Sequence, residues 1–169
     1  MRSLGILLAT GVMLFASQAA FAQRDAGSKM RGEYNFWGNS AGGAMRSGRD
    51  YSRYYREYAR DAQPVNPEVA REAADTIGQY ITKAQRHLAW MRTQAQTGND
   101  KETLASLDAI DKNLADAAKS HHEMHDTCLK ADVDATGSMQ CCQQIDESLA
   151  KAISDHDKLM KRLARAKKQ

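Results

Sequence analysis

The chain has 169 residues, a net charge of +3, 7% aromatic residues and two prolines, Pro64 and Pro67. That length suits one domain, and the Ala-, Leu-, Gln- and charge-rich remainder favours helices over strands. So small a net charge gives no expectation of nucleic-acid binding, although its distribution is uneven. Residues 1–63 carry nine Lys/Arg against five acids, 64–157 carry nine against sixteen, and 158–169 carry six against none. The basic tail "KLMKRLARAKK" is expected to complement the dipole at the end of a last helix.

The chain opens with Arg2, an apolar run from Leu4 to Phe15, and the small-residue site Ala20-Phe21-Ala22. This pattern predicts a signal peptide over 1–22, and hence a secreted or periplasmic protein. No later stretch is apolar enough to span a bilayer, so the mature chain is expected to lack a transmembrane segment. Residues 23–48 are rich in Gly and Ser and are predicted to form a flexible arm. In 49–63, Tyr51, Tyr54, Tyr55 and Tyr58 recur at i, i+3, i+4 and i+7, which predicts a short amphipathic helix.

Residues 64–169 are predicted to be the helical bundle domain. Asn66 is a good N-cap with Pro67 at N1 and Glu68 behind it, so a long helix should start there and stop at Gly98. Asn99 or Asp100 should cap a second helix, reaching about Ala131. A turn over Asp132 to Gly137 leads to a third helix beginning near Ser138. The predicted fold class is all-α, an up-down-up bundle of three long antiparallel helices with the short Tyr-rich helix as a fourth member.

Apolar residues recur in steps of three and four along each long helix, and each of these stripes contains a histidine. The stripes run through Ala73, Ile77, Tyr80, Ala84, His87 and Met91; through Leu107, Ile110, Leu114, Ala117, His121, Met124 and Cys128; and through Cys142, Ile145, Leu149, Ala152, His156, Leu159 and Leu163. Antiparallel register places His87 and His156 at similar depth and Cys128 level with Gln140. The pairs His87/Met91 and His156/Met160 are each four apart, so two helices present two imidazoles and two thioethers. Lower down, "SHHEMHDTCLK" brings His121, Met124, His125 and Cys128 towards Cys142. Imidazole, thioether and thiolate together suit copper or zinc.

The same cysteines support a different expectation. In an oxidising compartment Cys128 is predicted to form a disulfide with Cys142 or with Cys141; Cys142 continues the seam and is the preferred partner, which leaves Cys141 free for dimerisation or reactivity. C-x-x-C-H is absent, so haem is not expected, and no G-x-S-x-G, H-E-x-x-H, P-loop or Glu-x-x-His motif suggests an enzyme. Two functions follow: an exported bundle binding copper or zinc, or a non-catalytic structural or interaction module of the cell envelope. The partner is accordingly a metal ion or an envelope protein.

Overall fold

The computed structural model describes residues 6–130 and 132–166, with side chains from Gly32 onward. The predicted signal peptide, the first part of the predicted arm, and Lys167 and Lys168 therefore have side chains outside the described residues. Four helices form, α1 (Ile6–Asp61), α2 (Pro67–Thr97), α3 (Lys101–Cys128) and α4 (Ala135–Arg165), with no strand among the described residues. No helix among the described residues is long and apolar enough to cross a membrane.

Local chemistry sets the helix ends. Asn66 Oδ1 accepts from the Glu68 amide at 2.8 Å, with Pro67 at N1, where its missing N–H costs nothing. At the other end, the Gly98 amide bonds the Gln94 carbonyl at 2.9 Å, and Asn99 takes the left-handed conformation at φ 51°. Asp100 caps α3 twice, through the Thr103 amide at 2.9 Å and the Thr103 hydroxyl at 2.6 Å. Asp134 caps α4 through the Gly137 amide at 3.0 Å, so that helix starts at Ala135 and not near Ser138.

Each helix packs its backbone against two others, α1 and α3 each on both α2 and α4, while among the described residues the diagonal α1 and α3 meet through core side chains such as Tyr55 and Cys128. Sequential helices run in opposite directions. In α1 and α2, Trp37 stacks on Trp90, whereas at the far end the Asn66 amide donates to the Tyr58 hydroxyl at 3.2 Å. In α3 and α4, Arg162 reaches Glu102 at one end, and Ser120 bonds Gln144 farther along. The result is a four-helix bundle around Ile77, Leu88, Leu107, Leu114, Ile145 and Leu149. The predicted stripes of α2, α3 and α4 supply its core, with Tyr80, His121 and Leu163 at its half-buried margin.

The first helix corrects two expectations. Gly32 to Gly48 are not a flexible arm: they are helical, continuous with the tyrosine segment, and bury Tyr34, Ala41, Ala44 and Met45. The tyrosine segment is consequently the last part of a long helix and not a short one. Tyr34, Gly38, Ala41, Met45, Gly48, Ser52, Tyr55 and Ala59 alternate in steps of four and three, which forms one continuous helix face. Its small residues let the neighbouring helices approach closely. Gly48, for instance, leaves only 3.1 Å between a would-be Cβ and the Cβ of Tyr80. Of the four tyrosines in the last part, Tyr55 is fully packed, Tyr51 and Tyr58 are half-buried, and Tyr54 faces solvent.

The uneven charge is resolved across the α1–α4 contact. Asp146, largely buried, accepts from Arg49 at 2.6 Å and from Arg53 at 3.0 Å, while Arg46 pairs with Asp157 at 2.6 Å. The basic first segment thus neutralises part of the acidic body within the chain itself.

Candidate functional site

Polar and sulfur-bearing side chains meet in the core where α1, α3 and α4 converge. Met124 and Cys128 lie four apart on α3, and Ser138 and Cys142 lie four apart on α4, so each pair shares a helix face. Met124, Cys128 and Cys142 are completely buried. The Cys142 thiol points at Met124 Sδ across 3.5 Å. From α1, the Tyr55 hydroxyl lies 3.8 Å from Cys128 Sγ and donates to Ser138 Oγ at 3.3 Å. Burial pushes both thiols above the ordinary cysteine value, and for Cys128 the Tyr55 hydroxyl offsets part of that rise. Neither sulfur is a thiolate at neutral pH without a cation to displace its proton.

All three cysteines are free thiols in this structure, so the expected Cys128–Cys142 bridge is not formed here. The physical reason lies in the sulfurs' neighbours, since Cys142 is turned to the Met124 thioether and Cys128 to the Tyr55 hydroxyl. Cys141, one residue from Cys142 on α4, is half-buried.

The histidines do not join the sulfurs. Although His121 lies on the same helix as Met124, its Nε2 is 2.8 Å from the Ala74 carbonyl of α2, and its ring rests on Gly78. Because a carbonyl only accepts, Nε2 carries the proton. His125 also turns towards α2, with Nε2 3.5 Å from Asp75, and the two rings are 6.1 Å apart. His122 faces solvent near Asp126. The predicted lower site is therefore divided into a sulfur cluster in the core and an imidazole pair in the α2–α3 seam.

His156 repeats the His121 arrangement on the other side of the bundle. Its Nε2 donates to the Gly38 carbonyl of α1 at 2.8 Å, and its ring rests on Gly42. In both cases an imidazole covers a glycine of the facing helix and bonds the carbonyl four residues before it, an oxygen with a second lone pair free. Burial holds both rings below the ordinary histidine value, against the opposing pull of these carbonyls and of Asp75 or Asp157.

This arrangement carries a prediction. A Cβ at Gly78 would lie 2.6 Å from His121 Cε1 and Nε2, so Gly78→Ala must displace the ring from its carbonyl. The change gains about 1 kcal/mol of helix propensity but leaves a polar group unpaired at about 1–3 kcal/mol, so net destabilisation is expected. Gly43→Ala, which meets nothing within 4 Å, should be neutral or stabilising. Chemical denaturation of the two variants beside the parent checks the sign of each.

Of the predicted upper set, Met91, Met160 and His156 all meet Gly38 of α1, and His87 meets the adjacent Trp37. His87 lies against Trp37 with ring centroids 5.1 Å apart, and its buried Nδ1 has no hydrogen-bond partner among the described residues. Met91 and Met160 both crowd the space beside Gly38. The α1 segment Trp37–Gly38 contacts His87 on α2 and His156 on α4, and the Gly38 carbonyl holds the proton on His156 Nε2, which leaves that nitrogen no lone pair for an ion. Asp108 and Asp111 clamp Arg92 at 2.8 and 2.6 Å. Among the described residues, no group of three or more His, Cys, Asp or Glu side chains is placed to hold a metal ion.

Sequence reasoning missed Tyr55 and Ser138 as neighbours of the sulfurs, and the glycines as seats for the histidines. The Ser138–Cys142 spacing was the available signal for the first, and the Gly38–Gly42 spacing for the second. No protein-family model, curated protein or solved structure matches this chain.

Proposed function

We propose that this is an exported helical-bundle protein that binds a soft metal ion, Cu(I), through Cys128, Cys142 and Met124. The observation that carries the reading is the 3.5 Å contact between Cys142 Sγ and Met124 Sδ in the buried core, one helical turn from the equally buried Cys128. Two sulfurs each about 2.3 Å from one ion at a tetrahedral angle lie about 3.8 Å apart, so little movement is needed to seat it. Thiolate and thioether are soft donors that favour Cu(I). Structural zinc takes four N, S or O ligands, and the histidines that would complete such a set are engaged with α2 and α1. The role is one of binding, not catalysis, and the apolar N-terminal run with its Ala20-Phe21-Ala22 site supports export.

Binding must release the protons of two thiols whose pKa values burial has raised. Affinity should accordingly increase with pH. Reduced protein titrated with Cu(I) against a chromophoric chelator, without oxygen, should bind one ion. At a hundredfold excess over the dissociation constant, the ion should add about 2.7 kcal/mol of stability. Cys142→Ser should abolish this binding and Met124→Leu weaken it, while His121→Ala and His125→Ala leave the affinity unchanged. Wild-type binding by Cys142→Ser, or a melt indifferent to Cu(I), would refute the assignment.

The neighbouring thiols also favour a second reading, an envelope interaction module stapled by a Cys128–Cys142 disulfide. Peptide mapping of protein exported into an oxidising compartment separates the two. A quantitative Cys128–Cys142 bridge with no Cu(I) uptake before reduction would favour the staple.

A further inference from the structure

The proposed resting ligands lie at 0% exposure, so an ion has no direct route to them from solvent. Cys141 occupies the intervening depth. It is half-buried and packs against the core cluster, as does Met139 two residues before it. Being one residue from Cys142, it is turned about 100° around α4, away from the core centre. Gln140 and Gln143 line the α1–α4 groove with Arg56 and Glu57, which puts Cys141 on the flank of α4 towards α3, where the charges of Cys128, Glu123 and Asp134 reach it. Such carboxylates raise the local concentration of a cation.

We infer that Cys141 is the thiol on which incoming Cu(I) first lands, and that the three cysteines form a graded path from solvent to core. This inference rests on the assignment of Cys128, Cys142 and Met124 as the resting ligands. The ion arrives held by a small-molecule thiolate. Cys141 Sγ bonds to copper as the carrier's Cu–S bond breaks, and the carrier thiolate takes the proton that Cys141 gives up. Cys128 Sγ then bonds to copper while Cys141 leaves, regaining a proton from Cys128. Cys142 completes the pair and gives its proton to solvent, and the Met124 thioether coordinates without proton exchange. Copper remains Cu(I) throughout.

The test follows transfer from a Cu(I)–glutathione complex to the reduced full-length chain by stopped-flow absorbance, alongside equilibrium competition. Cys141→Ser should load about tenfold more slowly or worse, equivalent to about 1.4 kcal/mol of barrier, with its equilibrium affinity unchanged. Cys141→Ala should behave alike, and native-state alkylation should modify Cys141 ahead of Cys128 and Cys142. An unchanged loading rate in both variants would overturn the path while leaving the core assignment intact. So would a loss of affinity as large as that of Cys142→Ser, since Cys141 would then be a resting ligand. Absence of Cu(I) binding by the wild-type chain would overturn both.

Discussion

A chain beginning at Arg49 is expected not to fold into a stable bundle. On composition alone, residues 23–48 are the segment one would trim, yet Gly32 to Gly48 form part of the wall of the core. Removing them deletes Tyr34 and Met45, which are 5% and 0% exposed, together with Ala41 and Ala44. Each large apolar side chain contributes about 1.5–3 kcal/mol when buried. The loss also bares Met91 and His156, and takes the Gly38 carbonyl from the His156 N–H. Together these costs rival the roughly 5–15 kcal/mol that stabilises a typical domain. Circular dichroism and thermal melts of this truncation beside a chain beginning at Gln23 provide the check. A cooperative transition at nearly the same temperature in both would disprove the packing role of α1.

Acid should weaken the bundle well above the pH at which carboxylates titrate. His87, His121 and His156 are all held below the ordinary histidine value, chiefly by burial. Lys83 and Arg86 add to the depression at His87, and His125 and His122 add to it at His121. At His156, Arg46 lowers the value while Asp157 and the Gly38 carbonyl oppose it. The unfolded chain therefore takes up protons at a higher pH than the folded one. Stability from these groups is complete above the unfolded value of about 6.5 and is lost as pH falls through the lower folded values. The urea midpoint should be level from pH 8 to 7 and decline below about 6.5. Combining His121→Gln with His156→Gln should flatten that decline even if it lowers stability at neutral pH. An equally steep decline in the double variant would count against the histidines as its source.

Much of the scaffold was legible because it is written in local chemistry. The caps at Asn66 and Asp100 and the stop at Gly98 depend on residues within a few positions of one another. The apolar stripes of α2, α3 and α4 depend only on the helical period. The same period ran through Tyr34, Gly38, Ala41, Met45, Gly48, Ser52, Tyr55 and Ala59, but it was carried by small residues, whose composition resembles that of a linker. Small side chains favour flexibility in an isolated chain and close approach in a packed one, and which applies is decided by the partner helices.

The candidate site shows the same division at finer scale. The sequence by itself determined that imidazole and sulfur groups lie on inward faces of three helices, since spacing along one helix sets direction to within a residue's turn. Only the tertiary structure decided which neighbour each group meets. His121 and Met124 are three residues apart on α3, yet one ring seats on Gly78 of α2 and the other side chain meets Cys142 of α4. A helix inside a bundle has two neighbours at once, and a shift of tens of degrees about its axis chooses between them. That rotation is fixed by packing the whole core, through contacts between residues far apart in the chain.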